Sequence, residues 1–132
     1  MSIVLKATTE YINAATAADV TTTELSSYIS YEDVNKCSGE RKFGSKDMVT
    51  ASDDGAILCS APDADTWRLV KQIHIFNRDN ATATIAINLN NGTTTPTLFK
   101  ATIATLESIT WSPVSGWRTL TASGLLKTTA HA

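Results

Sequence analysis

Between Trp67 and Phe76 the chain alternates with a period of two. Trp67, Leu69, Lys71, Ile73 and Ile75 share one parity, and Arg68, Val70, Gln72, His74 and Phe76 share the other. That period belongs to a β-strand, and apolar residues on both parities mark a strand covered on both faces for part of its length. Asn77-Arg78-Asp79-Asn80 follows, whose Asx side chains bond their own backbone and favour a turn. Alternation then resumes at Ala81, with Ala83, Ile85, Ile87 and Leu89 on one side and Thr82, Thr84, Ala86 and Asn88 on the other. The two runs predict a central antiparallel hairpin in which Val70–Phe76 pairs with Ala83–Leu89, with Ile73, Ile75, Ile85, Ile87 and Leu89 buried.

The rest of the chain reads the same way. Strands are predicted at Ile3–Lys6, Thr23–Val34, Thr97–Ile103, Ser108–Trp111 and Trp117–Thr121, with turn residues arriving at the spacing of a sandwich or barrel. Asp47–Ala51 and Ala56–Ser60 form a predicted hairpin around Asp53-Asp54-Gly55, and Cys37–Ser45, with two glycines, reads as a loop. Alanines at Glu10–Asp19 suit one or two helical turns. The expected fold is all-β: one antiparallel β-sandwich over residues 1–132, jelly-roll or immunoglobulin-like, with at most short helical turns near the N-terminus.

Composition narrows the function classes. Eleven Lys and Arg are scattered among thirteen Asp and Glu, for a net charge of -2. A nucleic-acid binder carries a basic face, so no nucleic-acid partner is expected. Apolar runs reach only three or four residues, so no membrane partner is expected either; a helical span takes about 20. Charged residues make up 18% of the chain, and a threonine- and alanine-rich surface of this kind suits strands that face water or another subunit.

Chemistry is sparse. A catalytic nucleophile needs a base in reach, and the histidines are His74, inside a predicted strand, and His131, next to the last residue. Cys37 and Cys59 have no chelating spacing, and Cys59 reads as a buried free thiol. Asp53-Asp54 and Asp63-Ala64-Asp65 carry oxygen ligands but fall short of a calcium loop, so turn formation is their expected role. No enzyme, cofactor or metal is predicted. Trp67, Trp111 and Trp117 either fill the core or offer a sugar-stacking platform; Trp117, beside Gly116 and Arg118, is the one expected at the surface.

The stretch from Trp67 to Ile87, together with Tyr28–Asp33, Leu98–Ile103 and Leu120–Gly124, resembles small structural proteins of tailed bacteriophages. In those, a strand of the form R-x-V-x-x-I-x-I-x-N leads through a polar turn into a Thr/Val-rich strand. Arg68, Val70, Ile73, Ile75 and Asn77 take the first part here, and the likeness runs from about Leu25 to Gly124. It implies an architectural role in a virion assembled in the host cytoplasm: most directly a capsid decoration (cement) protein, homo-oligomeric and bound to the major capsid protein or other virion proteins. A tail, head–tail adaptor or fibre component is the near alternative. A carbohydrate-binding or adhesin-like sandwich is the more distant one, which requires an indole face on open surface.

Residues 1–23 hold few large apolar groups between Ala7 and Thr23, namely Tyr11, Ile12 and Val20. Burial of each contributes roughly 1.5–3 kcal/mol, against about 1–2 kcal/mol per residue to order the backbone. An extended arm ordered on neighbouring subunits is therefore expected, anchored by Tyr11 and Ile12. With Trp117 these make three candidate interaction residues.

Overall fold

The computed structural model describes residues 2–17, 25–50 and 56–127. They form ten strands: β1 (Ile3–Leu5), β2 (Tyr11–Thr16), β3 (Leu25–Asn35), β4 (Arg41–Thr50), β5 (Ala56–Cys59), β6 (Thr66–Phe76), β7 (Ala83–Asn90), β8 (Thr97–Ile103), β9 (Ser108–Ser112) and β10 (Gly116–Leu120). The first sheet runs β10-β9-β6-β3-β4, with β1 also pairing β6; the second runs β5-β2-β7-β8. Their pairings are antiparallel. β1 lies along Arg68–Val70 and β9 along Ile73–Phe76, so the two share one side of β6 end to end. The protein is an all-β sandwich of two packed antiparallel sheets.

The core comes from inward parities of both sheets. Ile29, Ile73, Ile75, Ile109 and Trp111 of the first meet Ile12, Ile85, Ile87 and Ile103 of the second, each exposed by no more than 1%. Leu89 packs against this cluster but is only half-buried.

β6 and β7 do not pair. They lie in different sheets, so Ile73 and Ile75 face Ile85 and Ile87 across the core instead of sitting beside them. Alternation looks the same in either arrangement; Asn77 decides between them. Its side chain is fully buried. Its Nδ2 donates to the carbonyls of Ala81 (3.0 Å) and Ile103 (3.1 Å), and its Oδ1 accepts the Asp79 N–H at 3.0 Å. Its backbone is bound on both sides by the loop between β8 and β9, its N–H donating to Glu107 O and its carbonyl accepting from Leu106 N–H. The segment is a corner that carries the chain from one sheet to the other. Asn77→Ala removes both donors from carbonyls inside the fold and is expected to cost about 2–3 kcal/mol in urea unfolding.

Three further expectations are corrected. Asp47–Ala51 and Ala56–Ser60 are not a hairpin: β4 edges the first sheet and β5 edges the second, pairing β2; Asp53, Asp54 and Gly55 lie outside the described residues. Cys37–Ser45 is a loop only as far as Glu40. Asn35 Oδ1 accepts the Cys37 and Ser38 N–H groups, Gly39 turns at φ 74°, and β4 begins at Arg41. Gly44 does not break the strand; it leaves room for the Tyr31 ring, whose carbons lie 2.6 Å from where a Cβ would stand. Nor is there a helical turn in the described part of Glu10–Asp19. Tyr11–Thr16 is a strand in the middle of the second sheet, because burying Ile12 and Ala14 between β5 and β7 outweighs alanine's helix preference.

That strand also overturns the arm for residues 2–17. β1 and β2 are built into the two sheets, and Leu5 and Ile12 are fully buried. Ladder hydrogen bonds to β5, β6 and β7, and the side chains of the facing sheet, add to the few apolar groups these strands carry. Residues 18–23 lie outside the described part.

At the other end of the chain, Glu107 Oε1 accepts from Ala104 N–H and from Lys127 Nζ, each at 2.8 Å. The ammonium, then the amide, holds this carboxyl below its ordinary range. A depressed carboxylate contributes stability above its unfolded pKa and loses it as pH falls through the folded value. The melting-temperature gap between the native chain and Glu107→Gln, about 1 kcal/mol in origin, is therefore expected at neutral pH and should close below about pH 4.

Candidate functional site

Among the described residues, those with reactive side chains are kept apart by the fold. His74 projects from β6 on the outer face of the first sheet, where its cross-strand neighbours are Tyr28 and Thr110; burial lowers its pKa, disfavouring the charged imidazolium. Cys59 is 1% exposed and burial pushes its thiol up to about 11, whereas Cys37 is exposed in the β3–β4 turn. A thiolate reagent applied to the folded protein is expected to modify Cys37 alone, with Cys59 reacting only after denaturation. Rapid modification of both in buffer would contradict this.

The acidic turn before β6 is structural. The Asp63 carbonyl accepts Thr66 N–H, Asp65 sits at φ 63°, and its carbonyl accepts Lys36 N–H. A cleft of about 120 Å³ there is lined by Asp33, Asn35, Glu40, Lys42, Asp63 and Thr66. Both Asp33 oxygens are taken by Arg68, Nε to Oδ1 at 2.8 Å and Nη2 to Oδ2 at 2.9 Å. Among the described residues no group of three or more His, Cys, Asp or Glu is arranged to hold a metal ion. Asp53, Asp54 and His131 lie outside them.

The tryptophans take separate roles. Trp111 is 1% exposed. Trp117, expected at the surface, is half-buried: it stacks on Phe99 with ring centroids 4.9 Å apart and planes 2° from parallel, and it meets Trp111 at 6.1 Å. The pair was legible in principle, since the turn between β9 and β10 sets Trp117 directly opposite Trp111. The exposed indole is Trp67, at 42%. The ammonium groups of Lys6 and Lys36 sit 5.7 and 5.9 Å from its ring centre. Tyr11 lies opposite Asn90 on the outer parity of β2, while Ile12 points into the core. Tyr11, Ile12 and Trp117 therefore do not form one site.

Two surfaces stand out instead. The outer face of the second sheet carries Tyr11, Asn13 and Ala15 from β2, Thr84, Ala86 and Asn88 from β7, and Thr102 from β8, with Lys100 as the charge among them. Thr84 and Thr102 share a hydroxyl hydrogen bond of 2.8 Å across the strands. The opposite side of the molecule is charged. There the Glu32 side chain, 5% exposed, lies between Arg41 Nη1 at 2.7 Å and Lys71 Nζ at 3.6 Å. Beside it an open cleft of about 460 Å³ runs between Tyr28 and Phe43 over Ser30 and Ser45. Phe43 itself is 80% exposed.

No protein family, curated protein or solved structure matches this chain.

Proposed function

We propose that this chain is a structural protein of a tailed-phage virion, a decoration (cement) subunit that binds the major capsid protein and acts without catalysis. The supporting observation is the charge-poor outer face of the second sheet. Covering Ala15, Thr84, Ala86 and Asn88 with another protein brings in one charge, Lys100 opposite Ala86, so many weak contacts over a broad area can hold the subunit in place. The resemblance of Trp67–Ile87 to phage structural proteins points to the virion as the setting. A sugar-binding role has less support, because Trp111 is buried, one neighbour already stacks on Trp117, and two lysines stand over Trp67.

The test is antibody labelling of particles purified from a culture that produces the chain. Dense labelling over the head is the expected result, and Ala86→Arg, which sets a second cation opposite Lys100 on this face, should abolish it while the purified variant stays folded. Label confined to the neck or tail would move the protein to the adaptor, tail or fibre role. Particles free of the chain would overturn the reading.

A further inference from the structure

Among the described residues β4 closes the first sheet and pairs on one side only, with β3, and over residues 41–47 it carries Arg41, Lys42, Phe43, Gly44, Ser45, Lys46 and Asp47. An edge strand leaves a row of backbone donors and acceptors without ladder partners, a template for another strand. Its side-chain order is unusual for an edge that only repels. Cations occupy one end, an acid follows at the other, a bare glycine sits between them, and a large aromatic stands in solvent.

We propose that two copies of this chain pair antiparallel through β4, about a two-fold axis at Gly44, with Phe43 of each copy seated in the cleft of the other. A two-fold normal to the sheet keeps every residue on its own face, so each meets a partner of its own parity. With Gly44 on the axis, Phe43 falls opposite Ser45 of the second copy and Arg41 opposite its Asp47. Ser45 pairs with Ser30 in the neighbouring strand, and these two small residues floor the cleft that Tyr28 bounds. A knob that is 80% exposed thereby meets a hollow of about 460 Å³ on the same face. Arg41, whose side chain is 60% exposed while one nitrogen holds Glu32, keeps other donors for the second carboxylate.

The charge order selects the register. Moving the axis to Phe43 sets the two rings against each other, empties the serine floor and removes the Arg41–Asp47 match. Moving it to Ser45 sets Phe43 against Asp47. The Gly44 register has one cost, Lys42 opposite Lys46 on the inner face. Both side chains are exposed, and Lys42 already leans toward Glu40 at 3.9 Å. The inference does not depend on a virion setting.

Sedimentation equilibrium of the full chain over a concentration series should show a monomer–dimer equilibrium. Phe43→Ser should raise the dissociation constant about a hundredfold or more, with the circular dichroism spectrum unchanged. Asp47→Arg alone and Arg41→Glu alone each set like charges opposite one another twice, and each should weaken the dimer about tenfold or more. An equimolar mixture of these two variants restores both opposite-charge pairs and should recover the dimer as a heterodimer. A native chain that stays monomeric at every soluble concentration, a dimer indifferent to Phe43→Ser, or a mixture no tighter than its components would overturn the proposal.

Discussion

Arg68→Ala is expected to destabilise the protein by about 3–5 kcal/mol, because it strips the partner from the Asp33 carboxylate, whose side chain is 24% exposed, and breaks the other contacts of the guanidinium. Arg68 is 8% exposed. Its Nε and Nη2 hold both oxygens of Asp33, its Nη1 donates to Ser60 O and Oγ at 2.9 Å, and its guanidinium carbon lies 4.0 Å from the centre of the Tyr31 ring. Truncation therefore removes a bidentate ion pair, two bonds to the residue after β5 and a cation–π contact at one stroke. The guanidinium ties the first sheet to the strand edge of the second, so the loss falls on the contact between layers. Arg68→Met combined with Asp33→Asn, which removes both charges and keeps the volume, should recover much of the loss. Urea unfolding of the native chain and these two variants measures it. A cost under about 1 kcal/mol for Arg68→Ala would mean that water already solvates the pair.

Trp111 gives a loss of similar size through packing alone. Trp111→Ala empties the centre of a cluster shared with Ile73 and Trp117 and should cost about 3–5 kcal/mol. Trp111→Phe should behave differently. The indole Nε1 is buried and has no hydrogen-bond partner among the described residues, and a buried unpaired N–H carries a penalty of about 1–3 kcal/mol. Phenylalanine gives up ring volume and removes that penalty together, so its net effect should lie within about 1 kcal/mol. If Phe proves as damaging as Ala, ring volume rather than the polar atom governs the site.

Several elements were legible because side-chain period reports only which face is covered. Thr97–Ile103 was predicted to the residue, and β6, β9 and β10 to within one or two. The burial of Ile73, Ile75, Ile85 and Ile87 followed from the same alternation. Turn chemistry was legible in a weaker sense. Asn77–Asn80 was recognised as a reversal, but an Asx residue that closes a hairpin and one that turns a corner look alike until its amide finds Ile103, far along the chain. The candidate contact surface was legible only as composition. The charge-poor Thr/Ala/Asn content was visible, but its concentration on one face requires β2, β7 and β8 to lie side by side.

Local sequence thus determined the all-β class, most strand positions, the inward turn of Ile73, Ile75, Ile85 and Ile87, and the buried state of Cys59. Each of these depends on a few neighbouring residues and the two-residue repeat of a pleated strand. The tertiary structure alone decided the partners. It placed β6 and β7 in opposite sheets, set β2 inside the second sheet instead of in an arm, brought Trp117 onto Phe99, and joined Arg68 to Asp33 and Ser60. Pairing is a contest among strands of similar pattern, settled by long-range hydrogen bonds and packing that no short window of sequence contains.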